Sequence, residues 1–116
     1  DIYIGQWGSD YWDPNSNAQT FSSNPDNSDD AASKTLAWRN AWEVPALNEQ
    51  TAAALLEKDP EKRAAMYGAL QKAVLEDGPF IIIFQQVEVA GVSGKVDGFK
   101  LGPTFDTNFL APISKT

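Results

Sequence analysis

Ile2 and Ile4 alternate with Tyr3, Gly5 and Trp7, a period of two that predicts a short strand ending at Gly8. From there to Ser33 the chain is dominated by Asn, Asp, Ser, Gly and Pro, which favour turns through local hydrogen bonds or a fixed φ. A long loop is expected there, broken by one apolar patch at residues 18–21 that reads as a single helical turn. Within that loop, residues 23–33 read as the most mobile stretch.

The period then changes. Trp38 and Trp42 stand four apart, and Leu47, Thr51, Ala54 and Leu55 share one face of a helix expected over residues 45–58, with Pro45 suited to its first turn. Asp59-Pro60-Glu61 restarts the chain. Asp59 reads as the N-cap, Pro60 as the first helical residue, and Glu61 as a charge near the positive end of the dipole. This second helix is expected to reach Asp77, with Met66, Tyr67, Leu70, Ala73 and Val74 as its buried stripe and Gly78-Pro79 as its stop. The two helices should pair as a hairpin.

Residues 80–85 form a continuous apolar run with three isoleucines, the composition of a strand covered on both faces. Val87, Val89 and Val92 extend it. Residues 94–98 read as a turn, and residues 99–101 and 109–113 as short closing strands. A helical hairpin with strands on either side is an α/β pattern, yet these strands are too few to make a sheet of the usual size. The chain is therefore expected to complete structures supplied by other parts of a longer protein.

Composition narrows the function. The 116 residues, 42% hydrophobic and with four Trp, six Phe and three Tyr, are globular material rather than a disordered tail. Sixteen acidic against nine basic residues give a net charge of −7, which repels nucleic acid and anionic lipid. Histidine and cysteine are absent, which removes the usual zinc ligands, thiol nucleophiles, disulfides and any histidine base. The longest apolar run, residues 80–84, is far short of the ~20 residues of a membrane span. No export signal precedes the opening strand, so the chain is expected to begin mid-protein.

The string WGSDYWDP at residues 7–14 resembles the signature W-x-x-D-Y-x-D-P of the peptide-, dipeptide-, nickel- and oligopeptide-binding class of extracytoplasmic solute-binding proteins of ABC importers. Further pieces follow in the order that family shows. They are DPEKRAAMYGALQKAVLEDGPFIII at residues 59–83 and VDGFKLGP at residues 96–103. The likeness spans nearly the whole chain. It implies the C-terminal fragment of a two-lobed periplasmic-binding-protein fold, with residues 1–78 finishing the second lobe and residues 79–116 returning to complete the first. It also implies a non-catalytic receptor, periplasmic or lipid-anchored outside the cytoplasm, that closes on a peptide or similar small solute and delivers it to a membrane permease.

Asp10 matches the family aspartate that accepts the ligand's α-ammonium group, a role that suits a fixed carboxylate because a desolvated ammonium needs an opposite charge. The plain alternative is an Asx turn within Gly-Ser-Asp-Tyr. Trp7, Tyr11 and Trp12 flank Asp10 and could stack on a ligand, although Trp7 also fits a core position. Trp12 departs from the smaller residue or proline often found between the tyrosine and the aspartate, which places a bulkier side chain at that point. Arg39 between Trp38 and Trp42 could stack on indole or pair with a ligand carboxylate, or it could belong to a packing cluster on the lobe surface.

Asp10 and Asp13 could form an acid/base pair of the kind a glycosidase needs, but Asp13-Pro14-Asn15 reads first as turn initiation. Residues 24–30 lack the spacing and terminal glutamate of a calcium loop, and no glycine-rich phosphate cradle is present. Neither a metal nor a cofactor is expected. The competing reading from another class is a carbohydrate-binding module with Trp7, Trp12, Trp38 and Trp42 as its platform, which two consecutive helix signals argue against.

Overall fold

In the computed structural model, which describes residues 2–104 and 107–116, the local start signals become helices. The helices are α1 (Asn15–Ser22), α2 (Leu36–Arg39), α3 (Pro45–Leu56) and α4 (Pro60–Asp77). Four two-residue strands follow: β1 (Val96–Asp97), β2 (Lys100–Leu101), β3 (Asn108–Phe109) and β4 (Ser114–Lys115). The fold is mixed α and β. It divides into two units, Asp13–Ile83 with all the helices, and Asp1–Trp12 with Phe84–Thr116, which carries the strands.

The helical unit is built on the hairpin of α3 and α4. Asp59 Oδ1 accepts hydrogen bonds from the Glu61 and Lys62 N–H groups, both at 3.0 Å, satisfying two donors that a helix start otherwise leaves open. Pro60 takes the first position, where no N–H is needed. In the link, Glu57 Oε1 accepts from the Lys58 and Asp59 N–H groups at 2.8 and 2.9 Å, and α3 stops at Leu56, two residues earlier than its pattern predicts.

The predicted stripes meet across the hairpin. Leu47, Thr51 and Ala54 of α3 and Tyr67, Leu70 and Val74 of α4 are buried, with Met66 and Ala73 half-covered beside them. Leu55 faces solvent instead, at the edge of this stripe. Phe80 closes one end of the core, its ring edge-on to Phe21 at 5.2 Å and to Trp42 at 6.0 Å between centroids.

Within residues 8–33 the helical turn expected at residues 18–21 is part of a longer helix. Helix α1 spans two turns, and its buried face is polar: Asn15, Ser16 and Ser22. Ser22 Oγ donates to the Ala18 carbonyl at 2.6 Å and lies 2.9 Å from Thr51 Oγ1, so α1 is fastened to α3 by hydroxyls where most helices use leucines. The segment expected to be most mobile is also tied down. Asn24 is buried, donates its backbone N–H to Asn48 Oδ1 at 2.7 Å and its Nδ2 to the Trp42 carbonyl at 3.2 Å.

In the other unit the strands pair antiparallel, β1 with β4 (Val96 opposite Lys115) and β2 with β3 (Lys100 opposite Phe109). The turn expected over residues 94–98 forms at Gly94 and Lys95, closed by the Val96 N–H on the Ser93 carbonyl at 2.9 Å, and Val96–Asp97 then pair as a strand. Gly98 between β1 and β2 adopts φ of 80°, where a Cβ would also collide with the Pro112 carbonyl. The strands predicted for residues 2–7 and 80–85 do not form. A strand exists only through the partner that accepts its hydrogen bonds, and none is present for either among the described residues.

Large apolar side chains are consequently left in solvent, from Ile2 at 95% exposure to Ile81 at 89%. Among the described residues, no helix is long and apolar enough to cross a membrane.

Candidate functional site

The residues singled out around Asp10 lie together in sequence where the chain bends at residues 10–13. Asp10 is exposed, as are Trp7, Tyr11 and, most fully, Trp12 at 76%. Trp7 is thus not a core residue here. Three aromatic faces and a carboxylate in one short surface stretch can meet a cation with an apolar body, the carboxylate supplying charge and the rings contact area.

Arg39 sits in the last turn of α2, exposed, beyond a helix start formed by Thr35, whose Oγ1 accepts the Trp38 N–H at 3.2 Å. The cation over the Trp38 ring is Lys34, with Nζ 5.0 Å from the centroid, and Trp38 Nε1 donates to the Ser28 carbonyl at 2.9 Å. Trp42 packs against the core. These two indoles are therefore engaged within the helical unit, Trp42 by burial and Trp38 by a loop carbonyl and a lysine.

A second cluster, which no motif announced, lies where α1 meets α4. Arg63 Nη2 donates to Asp13 Oδ1 at 2.9 Å and Oδ2 at 3.0 Å, and lies 3.2 Å from the Tyr67 hydroxyl. The guanidinium also stacks over the Tyr67 ring, 4.9 Å from its centroid. Asp13 Oδ1 additionally accepts the Asn15 N–H at 2.8 Å, closing the turn that opens α1. Beside this cluster is a shallow depression of about 260 Å³ lined by Pro14, Lys58, Pro60, Arg63, Ala64 and Tyr67.

Electrostatics decide what Asp13 can do. The Arg63 hydrogen bond, then the Asn15 N–H, hold its carboxyl below the ordinary value, and Arg63 is held above its own. Such a carboxylate stays ionised near neutrality and carries no proton to donate, the opposite of a general acid's requirement. Asp13 is a structural anchor for α1. The signal that could have found its partner was Arg63 four residues ahead of Tyr67 on the same helix face, but only folding reveals that Asp13 lies opposite.

Among the described residues, no group of three or more carboxylates could hold a metal ion. In the acidic loop, Asp26 Oδ1 accepts the Ser28 N–H at 2.9 Å and Asn27 Oδ1 accepts Asn24 Nδ2 at 2.8 Å, so these side chains shape the loop. Comparison with family models, with curated proteins and with solved structures finds no match.

Proposed function

We propose that this chain is the C-terminal part of a solute-binding receptor of an ABC importer, whose two lobes close on a peptide or similar small solute and present it to the permease. The observation that carries this reading is the ordered set of motifs, WGSDYWDP, then DPEKR leading through the helix to FIII, then VDGF. Two features of the fold support it. The α3–α4 hairpin forms where the motif order expects it, and the apolar residues at 2–4 and 81–89 lie exposed and outside any strand among the described residues, as they would if a longer chain supplied their partners.

Asp10 is the proposed ammonium anchor, with Trp7, Tyr11 and Trp12 as stacking surfaces; Arg39 is a secondary candidate. Hinge closure, not chemistry, would be the mechanism. A carbohydrate-binding platform of four tryptophans is the weaker reading, because Trp42 is committed to the core.

The test is calorimetric titration with di- and oligopeptides of the longer protein that contains these residues. Binding is expected, and Asp10→Ala should weaken it by about 3–5 kcal/mol if the carboxylate faces a buried ammonium. Unchanged affinity in that variant removes Asp10 from the site. Submicromolar peptide binding by the 116-residue chain alone would overturn the reading that half of the cleft lies elsewhere.

A further inference from the structure

The chain holds two Asp-Gly peptide bonds, Asp77-Gly78 and Asp97-Gly98, and no Asn-Gly. In such a pair the second residue has no Cβ, so the aspartyl side chain can fold back onto the next backbone nitrogen without a clash. What the fold does with that nitrogen differs between the two.

At the end of α4 the Gly78 N–H donates to the Val74 carbonyl at 3.0 Å, and Asp77 is itself the last helical residue. That nitrogen is held. Asp97 instead ends β1, opposite Ser114 of β4. The Thr116 N–H donates to the Lys95 carbonyl at 3.0 Å, and alternate residues of an antiparallel strand face the partner, so Asp97 also turns its carbonyl toward β4. A trans peptide then points the Gly98 N–H the other way, out of the ladder. Among the described residues no backbone carbonyl accepts it. The Asp97 side chain is exposed and joins neither of the ion pairs among those residues.

We infer that Asp97 is a site of spontaneous isomerisation to isoaspartate, and that α4 protects Asp77 from the same reaction. The Gly98 nitrogen bonds to Cγ of the protonated Asp97 carboxyl, whose hydroxyl leaves as water with the nitrogen's proton, giving a succinimide. Water then adds at the main-chain carbonyl carbon of residue 97, whose bond to the Gly98 nitrogen breaks. The chain now runs through Cβ and Cγ, and the α-carboxylate is freed. No electrons are exchanged, and water is the only co-reactant.

The product does not fit the ladder. It moves the carbonyl that faces Ser114 and inserts one main-chain atom before Gly98, whose φ of 80° and close approach to the Pro112 carbonyl leave no room even for a Cβ. Pairing of β1 with β4 should be lost with the modification. The freed α-carboxylate is the substrate group for a carboxyl methyltransferase that recognises isoaspartate. The inference does not rest on the receptor reading.

After the 116-residue chain is aged in warm neutral buffer, trypsin cleavage at Lys72, Lys95 and Lys100 separates the two bonds into peptides 73–95 and 96–100. Isoaspartate is read by electron-transfer fragmentation and by methyl transfer from labelled S-adenosylmethionine with an isoaspartyl methyltransferase. It is expected in peptide 96–100 at about ten times the level in 73–95, because the Gly78 nitrogen is free only in the frayed fraction of the helix end. In urea, where α4 is gone, the two levels should converge. Asp97→Glu keeps the charge but would need a larger ring, and should abolish the product at that position. Equal levels in the folded chain, an excess at 97 that persists unchanged in urea, or no product at 97 would each overturn the proposal.

Discussion

Arg63 Nη2 reaches both carboxylate oxygens of Asp13, at 2.9 and 3.0 Å, across fifty residues of sequence. The contact joins the turn that opens α1 to the first turn of α4, and it is only partly exposed, at 24% for Arg63 and 33% for Asp13. Asp13→Ala should cost about 1–2 kcal/mol in urea unfolding followed by helical signal, because it removes the Asn15 turn bond as well as the ion pair. A double-mutant cycle with Arg63→Met should return a coupling of about 0.5–1 kcal/mol that shrinks in 1 M salt, where the screening length is ~3 Å. A coupling indistinguishable from zero would show that the pair holds nothing.

The same contact sets a pH dependence. The folded Asp13 carboxyl titrates below its ordinary 3.8, chiefly because of Arg63. A lowered folded pKa gives stability that is fully present above the unfolded value and is lost as pH falls through the folded one. The helical unit should therefore lose stability as pH drops below about 4, and Asp13→Asn should lose less over that window. Parallel pH curves for parent and variant would contradict the assignment.

Leu70 is 2% exposed at the centre of the hairpin contact, so Leu70→Ala should cost about 2–5 kcal/mol. Leu75, more than half exposed on the same helix, should tolerate alanine within about 0.5 kcal/mol. Thermal unfolding of the two variants side by side checks the burial order; equal effects would mean that α4 presents a different face.

Ala41, just past the end of α2, holds φ of 50°, a left-handed conformation that costs a residue with a Cβ roughly 1–2 kcal/mol. Its N–H donates to the Trp38 carbonyl at 2.9 Å, so the turn is a helix C-terminal cap without its usual glycine. Ala41→Gly should stabilise the helical unit by about 0.5 kcal/mol, the relief less the extra freedom glycine has when unfolded. A loss of stability would place Ala41 in the right-handed region.

The starts of α3 and α4, the stop at Gly78, and the stripe of Leu47, Thr51, Ala54, Tyr67, Leu70 and Val74 were all legible in the sequence. Their causes are local: a proline needs no N–H at the first turn, Asp59 reaches donors two and three residues ahead, and side chains three or four apart share a face. The exposed cluster of Trp7, Asp10, Tyr11 and Trp12 was legible for the same reason, as contiguous residues stay together however the chain folds.

Tertiary structure alone decided the rest. Helix α1 was legible only as a single turn at residues 18–21; its full length has the composition of a loop and forms because Asp13 is held by Arg63, Ser22 meets Thr51 and Asn15 approaches Tyr67, contacts between residues 29 to 52 positions apart. Residues 2–7 and 80–85 have the composition of strands and are not strands, because a ladder is a property of two segments and their partners are not among the described residues. Alternation and β-propensity record what a segment can do. Whether it does so depends on a neighbour that no local pattern contains.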